Sequence, residues 1–173
     1  ELASSILITD SKALAVAVQQ ELSRQLALLN RKEIADKSIK NYGAIIMLKD
    51  LKEAVMLANE IAPEHLEVMT KEPEMILPMI RNAGAIILGQ WTPEPIGDYI
   101  AGPNHTLPTG RTARFSSPLG VYDFVKRTSL LNFSKAGFMK LARPVLDIAG
   151  IEGLDAHGNT VRVRLEKGLV CLI

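Results

Sequence analysis

Short apolar runs alternate with segments of helical periodicity, and this alternation most constrains how the chain can fold. Buried strands are predicted at residues 5–9, 43–48, 65–69 and 85–88, because each run is short and ends at polar or turn-forming residues. Helices are predicted at residues 13–29, 51–61 and 72–82, with Ala54, Leu57, Ala58 and Ile61 facing inward in the second. This order predicts an α/β fold with a parallel sheet, right-handed crossovers and helices on both faces.

The second half of the chain differs from the first in composition. Residues 89–119 are rich in Gly, Pro, Ser and Thr and predict a long loop, which in a compact domain is usually functional. Beyond it we expect a helical turn at 122–126, a strand at 129–133 and a helix at 135–149 kinked or broken near Pro144. The polar segment 33–41 is expected to be exposed.

Composition and charge exclude several classes of protein. The 173 residues carry a net charge of +1, so no strong field attracts nucleic acid or an anionic membrane. No apolar run approaches the roughly 18 residues that span a bilayer, and none of these 173 residues is expected to form a signal peptide. The single cysteine, Cys171, excludes an internal disulfide framework and a Cys-rich zinc knuckle. We therefore expect a cytoplasmic protein, cut from a longer one because Glu1 is not preceded by an initiator Met.

Glu64 and His65 are candidates for acid–base chemistry. They are neighbours after Pro63, at the predicted junction of a helix and a strand. A carboxylate beside an imidazole suits proton shuttling or the activation of water. The alternative is that Glu64 caps or is solvated while His65 makes one backbone hydrogen bond.

Other polar residues could bind a metal or a ligand. Asp98 and His105 lie in the long loop, where Asp98 is a candidate metal ligand or a turn former and His105 a candidate ligand contact. Glu152 and His157 lie in the tail, where His157 is either a ligand or an ordinary surface histidine. A zinc site needs about four ligands, so Asp98 and His157 alone would be half of one. No G-x-G-x-x-G turn follows any predicted strand, so no dinucleotide-binding residue is predicted.

Read together, these segments closely resemble the histidinol dehydrogenase family over nearly the whole chain. The similar stretches are Ala62-Pro63-Glu64-His65-Leu66-Glu67, Ile96-Gly97-Asp98-Tyr99, Gly102-Pro103-Asn104-His105-Thr106-Leu107-Pro108-Thr109, Phe115-Ser116-Ser117-Pro118-Leu119-Gly120-Val121, Asp123-Phe124-Val125-Lys126-Arg127 and Glu152-Gly153-Leu154-Asp155-Ala156-His157. That family oxidises L-histidinol to L-histidine, the last step of histidine biosynthesis, using two NAD molecules and an aldehyde-level intermediate.

The resemblance implies roles for individual residues. His65 would take the proton of the substrate alcohol, and Glu64 would activate the water that attacks the intermediate. Asp98 would be a zinc ligand facing the substrate, and His157 a zinc ligand reaching the partner subunit of a homodimer. His65, Asp98 and His157 would contact the substrate, Glu152 would hold its ammonium group, and His105 would lie nearby.

The resemblance also implies what is missing. The family's other two zinc ligands, a Gln and a His, and its NAD-binding lobe would precede Glu1, so we expect these 173 residues alone to be inactive. Residues 1–117 would be half of an incomplete Rossmann-like domain, 118–150 an arm, and 151–173 a dimerisation segment with a helical tail. Alternatives are a non-catalytic assembly module and a zinc hydrolase with Glu64 as its base.

Overall fold

The chain divides into two units. A computed structural model describes residues 1–167, in the units Glu1–Val125 and Lys126–Ile173, the second as far as residue 167. Cys171 lies outside the described residues. Within residues 1–167, no helix is long and apolar enough to cross a membrane. The boundaries predicted at residues 117 and 150 stay predictions.

Strands and helices alternate through the first unit as the sequence predicts. The strands are β1 (Ile6–Thr9), β2 (Ala44–Met47), β3 (His65–Val68) and β4 (Ala85–Leu88). The helices of the chain are α1 (Lys12–Leu26), α2 (Lys32–Tyr42), α3 (Leu51–Ile61), α4 (Glu94–Tyr99), α5 (Lys135–Ile151) and α6 (Asp155–Lys167). The α/β class and the four predicted strands are confirmed.

The strands pair in parallel as two separate two-stranded sheets. In one sheet β1 pairs with β2, so that Ile6 lies opposite Ala44. In the other β3 pairs with β4, so that His65 lies opposite Ala85. A mainly apolar cavity of about 930 Å³ is lined by residues of both β1 and β3, together with residues of α1 and α3.

Helix α3 leads the chain into the strand that carries His65. It begins at Asp50, whose Oδ1 accepts a hydrogen bond from the Glu53 amide at 2.9 Å. It buries Val55 and Ala58. Of the four residues predicted to face inward, Ala58 is fully buried, and Ala54, Leu57 and Ile61 are half-buried.

Two predictions of local structure are wrong. The helix expected at 72–82 is two 3₁₀ turns, Pro73–Met75 and Leu77–Met79, because Pro78 cannot donate the hydrogen bond that an α-helix needs there. The polar segment 33–41 is mostly exposed, as predicted, and lies within α2, where no element was predicted. Residues 129–133 form no strand, and Leu130 there is 93% exposed, so the run has no partner among the described residues to pair with.

The second unit is a pair of helices that meet through small side chains. Ala142 and Ala149 of α5 and Val161 of α6 are buried. Gly153, with φ 68°, makes the turn between the helices, a conformation that glycine adopts without strain. Pro144 lies inside α5 without ending it. The helical tail implied by the resemblance is confirmed, against the strand-like alternation at 161–165.

Candidate active site

The backbone before His65 is fixed from two sides. Ala62 ends α3 in the left-handed conformation, with φ 49°, and is only 1% exposed. The amide of Gly84 donates to the carbonyl of Pro63 at 2.9 Å, and the amide of Ala85 donates to the carbonyl of Glu64 at 2.8 Å. The direction in which the chain enters β3 is therefore set by α3 and by the start of β4.

His65 meets a carboxylate from the segment that was predicted as loop. Its Nε2 lies 3.0 Å from Oδ1 of Asp98, which α4 carries. The two side chains are 22% and 21% exposed, so the pair is partly shielded from water. The same nitrogen lies 3.6 Å from Oε1 of Glu94, one helical turn before Asp98.

Glu94 and Asp98 titrate in opposite directions. The hydrogen bond from His65 is the main reason that the pKa of Asp98 is lowered, and the bond with Glu94 adds to it. The pKa of Glu94 is raised, first because partial burial disfavours its charged form and then because of its bond to Asp98 and that residue's negative charge. The arrangement favours a charged Asp98 and a Glu94 that holds its proton to higher pH than usual.

Sequence reasoning missed Glu94. The available signal was the spacing of Glu94 and Asp98, four residues apart, which places two side chains on one face of a helix. Pro95 and Gly97 lie between them and disfavour a helix in most contexts. The segment was therefore predicted as a loop, where such a spacing carries no meaning.

The structure does not place Glu64 and His105 in the hydrogen-bonded pair that His65 and Asp98 form. Among the described residues, no hydrogen bond or ion pair of the structure joins the Glu64 carboxylate to the His65–Asp98 pair. Glu64 is nevertheless half-buried and adjacent in the chain. His105 is exposed, yet its charge contributes to the lowered pKa of Asp98, as the smallest of the causes. His105 therefore lies within electrostatic reach of the site.

The loop that carries His105 is attached to the end of α3. The guanidinium of Arg111 donates to the Glu60 carbonyl at 3.0 Å, and Arg114 donates to the same oxygen. Arg111 has a left-handed backbone, with φ 69°, which is strained for a residue with a side chain. These contacts bind the far end of the loop to the helix that precedes Glu64 and His65.

Glu152 and His157 lie in the second unit. Glu152 follows α5 directly, and its amide donates to the carbonyls of Ile148 and Gly150. His157 lies in the first turn of α6, and its carbonyl accepts from the Thr160 hydroxyl at 2.7 Å. Both side chains are exposed, so both are free to contact another molecule.

The donors in the first unit suit a divalent cation. One ligand atom each from His65, Glu94 and Asp98 lies within 4.8 Å of the others, and all three side chains are half-buried. One imidazole and two carboxylates are a donor set that zinc accepts. Asp98 meets His65 through Oδ1 and is also hydrogen-bonded to Glu94, so the three donors already contact one another.

Comparison with known proteins points to one family. The sequence model of the family described as histidinol dehydrogenase matches residues 1–165. The histidinol dehydrogenase of Aquifex aeolicus is 56% identical over 164 residues, which is 95% of this chain and 38% of that protein. The one of Wolinella succinogenes is 59% identical over 165 residues, again 95% of this chain and 38% of the relative.

A solved structure agrees with the sequence comparison. The crystal structure of histidinol dehydrogenase from Elizabethkingia anophelis is similar with a TM-score of 0.85 and 32% identity, covering 93% of this chain and 37% of that one. The chain thus spans about two fifths of the length of the relatives it matches. On this evidence, the chain belongs to the histidinol dehydrogenase family.

Proposed function

We propose that this chain supplies the acid–base residues and part of the zinc site of an enzyme that oxidises L-histidinol to L-histidine with NAD. The observation that carries the proposal is the 3.0 Å contact between His65 Nε2 and Asp98 Oδ1 in a partly shielded position. Two residues that the family resemblance nominated separately, 33 positions apart, are neighbours in space.

The pair has the geometry of a general base and its orienting carboxylate. A charged Asp98 accepts a hydrogen bond from the Nε2–H of His65, which leaves Nδ1 as the basic nitrogen of the neutral ring. Nδ1 then takes the hydroxyl proton of the substrate as the alcohol is oxidised. Because the pKa of Asp98 is lowered, it keeps its charge and holds the ring in this tautomer.

Glu64 takes the second proton-transfer role. Its half-buried carboxylate, next to His65 in the chain, would accept a proton from the water that attacks the aldehyde-level intermediate. The 2.8 Å bond from the Ala85 amide to the Glu64 carbonyl fixes the backbone from which this side chain extends. Glu152 would bind the substrate ammonium through its charge, and His105 would line the entrance.

Zinc and NAD complete the chemistry. Asp98 would hold zinc together with His157 of a second copy and residues outside the 173, and when bound the metal orients the substrate and polarises it. The nicotinamide accepts hydride, and its binding residues would lie outside this chain.

We further infer that the two sheets are parts of one Rossmann-like parallel sheet in a homodimeric, cytoplasmic enzyme. The apolar cavity of about 930 Å³ lined by both β1 and β3 has the position that further strands would fill. Exposed apolar side chains on α5, such as Ile148 at 57% and Ile151 at 86%, support a role of the second unit in dimerisation.

The alternatives are weaker. A zinc hydrolase with Glu64 as its base would need three ligands in this chain. Among the described residues, the set that lies close enough together is His65, Glu94 and Asp98, and no hydrogen bond or ion pair joins the Glu64 carboxylate to it. A pure assembly module leaves the His65–Asp98 pair without a purpose. The matched relatives are histidinol dehydrogenases, which favours the oxidoreductase.

Steady-state kinetics tests the proposal. The full-length protein containing residues 1–173 should reduce two NAD per L-histidinol, and the isolated chain should reduce none. Zinc content should be stoichiometric in the full-length protein and low in the isolated chain. A full-length protein that binds zinc but produces no NADH from L-histidinol would contradict the proposed activity.

A further inference from the structure

We propose that Glu67 is a positioning residue, whose carboxylate anchors the start of α4 to β3 and so holds Asp98 against His65. The Glu94 amide donates to Glu67 Oε1 at 2.9 Å, across 27 residues of chain. The inference rests on the proposed function for its catalytic meaning, because the His65–Asp98 pair is what Glu67 would hold in place.

The first turn of α4 needs an acceptor from elsewhere in the chain. A helix leaves its first amides without internal partners, and the residue before α4 is Pro93, which makes no side-chain cap. Pro95 has no amide hydrogen, and the Ile96 amide already donates to the Pro93 carbonyl at 3.0 Å. Glu94 is therefore the residue of this turn whose amide depends on an outside acceptor, and Glu67 supplies it.

The strand places Glu67 correctly for this contact. Residues 65 and 67 point to the same face of β3 because side chains alternate along a strand. His65 and Glu67 thus contact α4 at two points, His65 at its last turn through Asp98 and Glu67 at its first turn through the Glu94 amide. Two contacts fix both the position and the rotation of a short helix, whereas one would leave it free to pivot.

The sequence of α4 makes this attachment necessary. Glu94–Tyr99 is only six residues long and includes Pro95 and Gly97, so it has little intrinsic helical stability. None of its residues is fully buried, so burial in a core does not hold it either. The polar contacts to β3 are what remain to keep the Asp98 carboxylate at 3.0 Å from the imidazole.

NMR on the zinc-free 173-residue chain tests the inference without substrate or metal. In Glu67→Ala, exchange of the Glu94 amide with solvent should accelerate about tenfold, and the nitrogen shifts of His65 should move toward a mixture of tautomers. Glu67→Gln, which keeps a side-chain oxygen at the same reach, should restore both signals. Glu74→Ala, at an exposed glutamate of the Pro73–Met75 turn, is the control and should change neither.

Two outcomes decide the matter. Unchanged Glu94 exchange and unchanged His65 shifts in a folded Glu67→Ala chain overturn the inference. If that variant does not fold, Glu67→Gln must keep the Glu94 protection while Glu67→Asp, too short by one methylene, loses it; equal protection in both overturns the inference equally.

Kinetics then separates this inference from the proposed function. In the full-length enzyme, Glu67→Ala should lower kcat about tenfold and Glu67→Gln should recover it. If the NMR results hold but the unsubstituted enzyme forms no NADH from L-histidinol, the proposed function fails and the anchoring role stands. If NADH forms but the NMR signals do not depend on Glu67, the anchoring role fails and the proposed function stands.

Discussion

His65 and Asp98 are 33 residues apart in the chain and 3.0 Å apart between Nε2 and Oδ1. Neither residue is fully buried, so the contact does not exist to satisfy a group trapped in a core. A charged hydrogen bond in a position open to solvent adds little to stability and is more useful for fixing a tautomer. This geometry is what a general base requires.

Replacing His65 would remove the proposed base and should leave most of the fold intact. We expect His65→Asn in the full-length enzyme to lower turnover by about 10²–10⁴-fold, as the loss of a general base does. The measurement is steady-state NADH formation from L-histidinol, with the thermal unfolding midpoint as the control for folding. Turnover close to that of the unsubstituted enzyme would remove His65 from the mechanism.

The strands were predictable because their signals are local. Residues 85–88 are four consecutive apolar side chains bounded by Gly84 and Gly89, and β4 has those bounds. The helix expected at 72–82 was not predictable in the same way, because its apolar spacing competes with Pro78, and the proline prevailed. Helix α2 was missed because it is polar and buries no residue.

The residues of the candidate site could be nominated one by one from the sequence, but their arrangement in space could not. His65 is marked by its neighbours Pro63 and Glu64, and Asp98 by the family resemblance. Their meeting depends on α4, which forms from a segment containing Pro95 and Gly97 and folds back on β3. Because this folding back joins segments that are distant in the chain, the contacts of Glu94 and Glu67 could be recognised only in the structure.

Zinc retention should depend on Asp98 and not on Glu64. We expect full-length Asp98→Ala to lose most of its zinc, because a carboxylate ligand is removed, whereas Glu64→Gln should keep it. Removing residues from Gly150 onward should abolish retention as well, because His157 is lost. The check is metal content per subunit by mass spectrometry after dialysis; equal zinc in Asp98→Ala and Glu64→Gln would exclude Asp98 as a ligand.

The raised pKa of Glu94 predicts how the stability of the metal-free chain changes with pH. Its pKa is raised above the usual value of 4.5, so the folded state binds its proton more tightly than the unfolded state does. The contribution of Glu94 to the free energy of unfolding is therefore fully present below the usual pKa. It is lost as the pH rises through the raised pKa of the folded state. Relative to the unsubstituted chain, Glu94→Gln should therefore gain stability across that window.

Urea unfolding in the presence of EDTA, at intervals from pH 4 to pH 8, measures this difference. Glu72→Gln, at an exposed glutamate before the first 3₁₀ turn, is the matched control and should show no comparable pH dependence. A difference between Glu94→Gln and the unsubstituted chain that shrinks with rising pH would contradict the assignment.

The backbone of Glu64 packs against Gly84 so closely that residue 84 has no room for a side chain. A Cβ at residue 84 would lie 2.5 Å from the Glu64 carbonyl oxygen and 3.1 Å from Cδ of Pro108, and the first distance is too short for any real contact. Because that oxygen accepts the Ala85 amide at 2.8 Å, it cannot move without breaking the entry to β3. We expect Gly84→Ala to cost about 1–3 kcal/mol in the free energy of unfolding.

The same substitution should also lower NADH formation, because it displaces the segment that carries Glu64 and His65. Gly150→Ala is the control, since nothing lies within 4 Å of the added methyl group and the residue is inside α5. There, alanine should stabilise the helix by about 0.5–1 kcal/mol, because it loses less backbone entropy than glycine. Urea unfolding of both variants measures the two effects, and a Gly84→Ala protein as stable and active as the unsubstituted one would show that β4 does not fix the approach to His65.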